Sequence, residues 1–244
     1  MIRVGIGGWV FKPWRGEFYP EGLPQARELD YASRKLTAIE INGTFYSTQK
    51  PESFRKWAAE TPDDFVFSLK APRFATHRRV LAEAGESIER FVASGLGELG
   101  PKLGPILWQF LPRRKFDAED IAGFFRLLPE KVDGITMRHA IEPRDESFRD
   151  KKFFRLCRDR NIAIVHEDAD DYPLIEADTA DFVYARLQRM RAGVTTGYDE
   201  KALKKFAALA RKCRKGGRDT YIFMINGAKE RAPAAALALQ ERLR

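Results

Sequence analysis

Cysteine is scarce in this chain. Only Cys157 and Cys213 occur among 244 residues, too few for a disulfide framework or a cysteine-rich metal site, and a count that fits a reducing, cytoplasmic compartment. No apolar run approaches the ~18 residues a membrane-spanning helix needs, so no contact with a membrane is expected. The opening MIRVGIGG enters a strand pattern at once, and no cleavable leader is expected. Glycine-rich phosphate loops are missing as well. Gly5, Gly7 and Gly8 suggest a dinucleotide turn, but Val10 stands where the third glycine belongs, and no P-loop pattern occurs. The three histidines, His77, His139 and His166, share no HExxH or other paired spacing, which leaves a multi-zinc site short of ligands. Neither cysteine lies near a strand end, so no cysteine–histidine or serine–histidine–aspartate triad is specified.

What is present is alternation. Short apolar runs at 2–9, 37–42, 65–70, 104–110, 139–144, 162–168, 181–187 and 220–226 are separated by helical patterns. The sixth interval, ADDYPLIEADTA, has room for a turn or two at most. Strands alternating with helices imply a parallel sheet. Eight such units without a linker predict an α/β fold, a single (β/α)8 TIM barrel over residues 1–244 with a short or irregular sixth helix. The excess of 43 Lys and Arg over 35 acids, +8 in all, favours anionic ligands or a solvated surface. Much of it lies in 201–218, where Leu203, Phe206, Leu209 and Ala210 form an apolar stripe. That pattern predicts an exposed barrel helix rather than a nucleic-acid-binding one, because aromatic interleaving is absent.

Two strands carry a glutamate in the same setting, AIEIN at 38–42 and AIEPR at 140–144. Side chains alternate between faces along a strand. The parity that sends Phe65, Phe67 and Leu69 toward the helices turns Glu40 and Asn42, Lys70, and Glu142 and Arg144 into the lumen. Gln109, Asp168, Arg186 and Asn226 end other strands. A barrel's chemistry sits at the C-terminal ends of its strands, so these residues are candidate site groups. The structural alternative is a salt-bridged plug, Glu40 with Lys70 and Glu142 with Arg144 or Arg186.

The loops after the strands add Arg73, Arg78, Arg79, Arg113, Arg114, Lys115, Arg189 and Arg191, a basic rim suited to phosphate. Glu167, Asp168, Asp170 and Asp171 weaken it on one side. The aromatic stretch 7–20, with Trp9, and the loop bearing Phe45 and Tyr46 either stack on a base or sugar or pack over the mouth. Glu40, Glu142 and Asp168 together offer oxygens to a hard divalent cation such as Mg²⁺ or Mn²⁺. His139 starts a strand and is expected to be structural, while His77 in the cationic loop is the candidate for proton transfer.

Many of these residues stand in a familiar arrangement. Gly8-Trp9, Phe18-Tyr19-Pro20, Glu40-Ile41-Asn42, Thr44-Phe45-Tyr46, Lys70, Thr76-His77, Lys102-Leu103-Gly104-Pro105, Gln109, Glu142, Arg144, Ser147-Phe148, Asp168, Tyr184 and Arg186 resemble the YecE-like family (domain of unknown function 72) over nearly the whole chain. The resemblance implies a TIM barrel and brings no established reaction. Relatives usually follow the strand-five arginine with histidine, where this chain has Asp145; Pro143 and Phe110 also depart from the pattern. If that histidine is a base or metal ligand in relatives, the chemistry here is altered or absent.

These readings lead us to expect a hydrolase or other acid/base enzyme acting on a phosphorylated sugar or nucleic-acid-like substrate. Glu40, Glu142, Asp168 and His77 are its candidate catalytic groups. Asn42, Lys70, Gln109, Arg144, Arg186, Trp9, Tyr46 and Asn226 are expected to bind substrate. The rivals are a non-catalytic binder of nucleic acid or a phosphometabolite at the same mouth, and a metal-free barrel that cleaves sugars with paired carboxylates.

Overall fold

Eight strand positions close into a ring in the computed structural model, which describes Met1–Arg244. They are β1 (Ile2–Gly7), β2 (Ala38–Ile41), β3 (Val66–Lys70), β4 (Leu103–Gln109), β5 (His139–Glu142), β6 (two segments, Ala163–Ile164 and His166–Asp168), β7 (Phe182–Leu187) and β8 (Asp219–Met224). Every neighbour pairs in parallel, and β8 returns to β1 in the register Ile2 with Thr220 through Ile6 with Met224. β6 is interrupted at Val165, but its halves still join the ring. Ala163 pairs with Ala140 on β5, and His166 with Ala185 on β7. A separate antiparallel ribbon, Lys131–Val132 against Ile135–Thr136, takes no part in the ring. This is the expected TIM barrel.

The connecting helices are α1 (Glu28–Lys35), single-turn α2 (Gly43–Tyr46), α3 (Pro51–Ala59), single-turn α4 (Arg73–Thr76), α5 (Gly85–Val92), α6 (Ala118–Leu127), α7 (Lys151–Asp159), α8 (Glu200–Lys215) and α9 (Ala232–Leu243). Aspartates start several of them. Asp117 accepts from the backbone N–H groups of Glu119 and Asp120, Asp150 from those of Lys152 and Phe153, and Asp199 from that of Ala202, each satisfying otherwise orphaned donors. α8 buries Leu203, Phe206, Ala210 and Cys213 and turns its basic face to solvent, the exposed barrel helix its stripe predicts. No helix forms between β6 and β7, in keeping with the proline and acids of that interval. No helix is long and apolar enough to cross a membrane.

Packing divides by strand parity. Ile39, Ile41, Phe67, Leu69, Ile106, Trp108 and Ile141 belong to the large apolar layer between sheet and helices. Ala38, Val66, Leu107, Ala140, Val165, Phe182 and Tyr184 form a smaller cluster in the lumen. β1 comes so close to β2 that a Cβ on Gly5 would lie 1.9 Å from the Ala38 carbonyl oxygen, so only glycine permits this pairing. The lumen's apolar filling stops short of the C-terminal ends. Above it the inward positions are Ser68, Glu40, Glu142 and Arg186, all buried.

Candidate active site at the barrel mouth

Strand β7 places Phe182, Tyr184 and Arg186 on one face, and Arg186 ends that face at the mouth. Arg186 is 1% exposed, so each donor of its guanidinium must find a partner inside the protein. Nε and Nη2 donate to Glu40 Oε2 and Oε1 at 3.0 and 3.1 Å, and Nη1 donates to Glu142 Oε2 at 2.6 Å. The Tyr184 hydroxyl, within reach of Ser68 Oγ at 2.7 Å, donates to Glu40 Oε2 at 2.7 Å. Glu142 Oε1 accepts from Gln109 Nε2 and Arg144 Nε, both at 2.8 Å. Burial opposes the charge on Glu142, yet Arg186 and Arg144 outweigh it and hold this carboxyl below its ordinary value. The two sequence-predicted glutamates thus meet in the lumen, joined through one arginine. Glu40 pairs with Arg186 and Tyr184, not with Lys70.

Above this bridge opens a cavity of about 370 Å³ lined by Asn42, Tyr46, Lys70, Gln109, Arg144, Arg186, Asn226 and Lys229, among others. Seven of the eight expected binding residues are therefore together. Asn226 adopts a left-handed backbone (φ 56°) and donates through Nδ2 to Gln188 Oε1 at 2.8 Å. Lys70 is buried at the end of β3, its Nζ 4.0 Å from the centre of the Phe45 ring, with no carboxylate oxygen within 4.0 Å. Burial first, and Arg186 second, push its amine down to about 8, against the pull of Glu40 and Glu142. Lys229 escaped sequence reasoning because it lies beyond the β8 run; it sits over the Phe11 ring at 4.7 Å, and burial lowers its pKa.

Three expectations need correction. Asp168 does not face the lumen. Its register partner is Leu187, which packs in the layer outside the sheet, and Asp168 is held by the Arg189 guanidinium and, at 2.8 Å, by the Tyr198 hydroxyl. The inward acid of β6 is Glu167, partnered with Arg186 in register. Trp9 packs edge-on against Trp57 at 5.3 Å and Phe67 at 6.4 Å, in the outer layer rather than the mouth. His77 contacts the Phe45 ring at 5.3 Å and lines a separate cavity of about 630 Å³ with Arg73, Phe74, Arg78 and Arg90. Partial burial, Lys70 and Arg73 lower its pKa.

Glu167 changes the chemistry of the floor. Its Oε1 accepts from Gln188 Nε2, and Arg144 Nη2 lies 3.9 Å away; its Oε2 is buried with no partner. Burial, with the neighbouring Glu142 charge, raises its pKa to about 8. Two carboxylates that close cannot both ionise cheaply, so Glu167 keeps its proton and Glu142 its charge. No sequence motif marks this pair; alternation counted from Val165 inward is the signal that finds it.

Half of the expected basic rim is neutralised. Arg114 bonds Asp120 and the Arg79 carbonyl, Lys115 bonds Asp145, and Arg189 and Arg191 bond Asp168 and Asp199. Asp145, where relatives usually carry histidine, caps the turn at Ser147 and is drawn down to about 2 by Lys115 and that cap. Phe110 joins Phe124 and Phe148 in an aromatic cluster. Most of the 7–20 aromatics pack together: Trp14 is buried against Phe11, Phe18 and Tyr19, and its indole donates to the Lys229 carbonyl at 3.0 Å. His139 accepts from Trp108 Nε1 at 3.1 Å and is structural as expected. The donor set does not fit a divalent cation. Glu40 and Glu142 are engaged by arginines, Asp168 faces the other way, and no group of three acids, histidines or cysteines converges.

Comparison with known proteins agrees with this architecture. A family model described as a protein of unknown function, DUF72, matches residues 3–244. The UPF0759 protein YecE of Escherichia coli K12 is 29% identical over 143 residues, 57% of this chain; the match spans about half of YecE, 49% of its length. The crystal structure of a DUF72 family protein from Thermotoga maritima superposes with a TM-score of 0.77 at 25% identity, covering 98% of this chain and 97% of that one. Endonuclease IV of Thermus thermophilus, at 14% identity and a TM-score of 0.51 over 99% of this chain and 98% of its own, shares the barrel fold alone. The chain belongs to the DUF72 family of TIM-barrel proteins.

Proposed function

We propose that the protein is an acid/base enzyme acting on a small phosphorylated substrate, of the sugar-phosphate class, at the C-terminal mouth of the barrel. The charge balance there carries this reading. Lys70, Arg144, Arg186 and Lys229 reach one cavity, while the ion pairs formed there engage Glu40 and Glu142 and Glu167 keeps its proton. The surplus of positive charge is poorly solvated, and a phosphate would relieve it. Asn42, Gln109 and Asn226 offer donors and acceptors for hydroxyl groups. Glu40 and Glu142 act through Arg186, which they orient. Lys70, whose amine is lowered to about 8, is the group at the cavity able to move a proton.

The reading is tested by titrating the protein with inorganic phosphate and a panel of sugar phosphates, followed by calorimetry and amide NMR. Lys70→Met and Arg144→Met are each expected to weaken binding by roughly ten- to a hundredfold, the worth of a hydrogen bond to a charged group. Phosphate binding that is unchanged in both variants overturns it.

A second reading, a non-catalytic nucleic-acid binder, is favoured by one observation. Tyr46 and Phe74 are 64% and 61% exposed and stand at the mouth and at the adjoining cavity with Arg73, Arg78 and Arg90, a pairing of aromatics and cations suited to stacking on single strands. Salt-dependent binding of oligothymidylate, lost in Phe74→Ala and accompanied by no turnover, would select it. We place the protein in the cytoplasm, a reading supported by two free, buried thiols.

A further inference from the structure

The mouth contains two lysines that no acid neutralises, half-buried Lys229 and the more deeply buried Lys70. Arg186 is clasped by Glu40 and Glu142, and Arg144 by Glu142. Lys70 Nζ donates no hydrogen bond within the protein and has an aromatic face on one side. It opens into the 370 Å³ cavity, a volume within the range of small-molecule sites. A lysine meant only to fix the fold would be expected to find a carboxylate, as buried charges do. A lysine crowded by other cations and partly stripped of water instead sheds its proton easily, and the resulting free amine is a nucleophile.

We propose that Lys70 attacks the carbonyl carbon of an aldehyde or ketone substrate bearing an anionic group and forms an imine with it in the barrel mouth. The proposal rests on the reading of the mouth as an anion site and names the substrate class as a phosphorylated carbonyl compound. The nitrogen lone pair forms the C–N bond while the C=O π pair moves to oxygen. That oxygen takes two protons, both originating on the lysine ammonium, and leaves as water. Ammonium plus carbonyl thus becomes iminium plus water, with charge unchanged and no oxidant or metal consumed. The iminium then withdraws electrons from the adjacent carbon, which acidifies its C–H bond and suits the site to proton transfer. Arg144, which lines the same cavity, would hold the anionic group.

Pyridoxal 5′-phosphate, an aldehyde with a phosphate, is the probe. The whole protein is incubated with it, reduced with sodium borohydride and mapped by peptide mass spectrometry. The reduced adduct is expected at Lys70 ahead of surface lysines, at least about tenfold faster than with phosphate-free pyridoxal, a preference of ~1.4 kcal/mol, and suppressed by inorganic phosphate. Lys70→Arg, which keeps the charge but has no nucleophilic amine, is expected to lose the adduct at position 70 while labelling of the surface lysines is unchanged. The wild-type map alone decides the matter should that variant fail to fold. Phosphate binding at the mouth with Lys70 unmodified overturns the nucleophile and leaves the anion site standing. Equal labelling of Lys70 by both aldehydes, with no phosphate binding, supports the nucleophile and removes the anion site. Absence of both phosphate binding and labelling overturns both.

Discussion

Arg186 and Glu40 form a two-point contact, Nε to Oε2 at 3.0 Å and Nη2 to Oε1 at 3.1 Å, between side chains drawn from strands 146 residues apart and closed off from water. Glu142 completes the bridge from a third strand. Removing the arginine alone leaves two acids buried without their counter-charge, which costs about 3–5 kcal/mol when a buried pair is broken. Arg186→Met is therefore expected to lower stability by that amount in urea titrations monitored by circular dichroism. Glu40→Gln keeps an acceptor for the guanidinium and should cost less. Equal, small losses in both variants would show that the bridge is not what holds the lumen together.

The Glu167 carboxyl makes stability depend on pH in a definite sense. Its pKa is raised from 4.5 to about 8 on folding, so between these values the folded state binds the extra proton. By linkage its contribution is fully present below about 4.5 and is lost as pH rises through about 8. Glu142, held lower than normal, works in the opposite sense at more acid pH. Replacing Glu167 with Gln removes the proton without changing shape. The variant's Tm should fall less than the wild type's between pH 5 and pH 8 in a series of scanning-calorimetry runs. Parallel profiles would mean that Glu167 is ionised throughout.

Much of this was legible in the order of residues, and the exceptions have physical reasons. Strict alternation in FVFSLK and AIEIN gave the faces of Ser68, Lys70 and Glu40, because one apolar face must meet the helices. In IAIVHED the final three residues are all polar, so hydropathy no longer tells inward from outward. Taking the last acid, Asp168, misses the correct one by a single position, which in a strand reverses the face. Trp9 misled for a related reason: it follows Gly8 in the left-handed region (φ 72°), where strand parity has already ended. The cationic rim was over-read because counting arginines says nothing of their partners. Arg114, Arg189 and Arg191 are each tied to a nearby aspartate.

The aromatic residues after β1 should separate packing from binding. Trp9 lies edge-on to Trp57 and Phe67 in the layer outside the barrel, so truncation leaves a hole in that layer. Trp9→Ala is expected to destabilise by up to about 3–5 kcal/mol, the range for large aromatic truncations, less because the ring is only partly buried. Its phosphate affinity, measured below the unfolding transition, should match the wild type. A weakened affinity in a fully folded variant would return Trp9 to the site.

Lys70 ties affinity and reactivity to one titration, with opposite signs. Its amine is drawn from 10.5 to about 8, chiefly by burial and then by Arg186, with Arg144 adding to Arg186 while Glu40 and Glu142 oppose them. Below about pH 8 the ammonium contributes its charge to anion binding; above it that contribution disappears, so phosphate affinity should drop as pH rises through this value. The free amine grows over the same interval, and the rate of imine formation at Lys70 should rise and level off there. A fully hydrated amine, with the ordinary lysine value of about 10.4, keeps accelerating beyond that point. Borohydride trapping of pyridoxal 5′-phosphate at graded pH, read peptide by peptide, compares the two within one sample. A Lys70 profile that climbs in step with surface lysines would mean that the amine feels neither the burial nor the guanidinium beside it, and the mouth would then be far wetter than its packing implies.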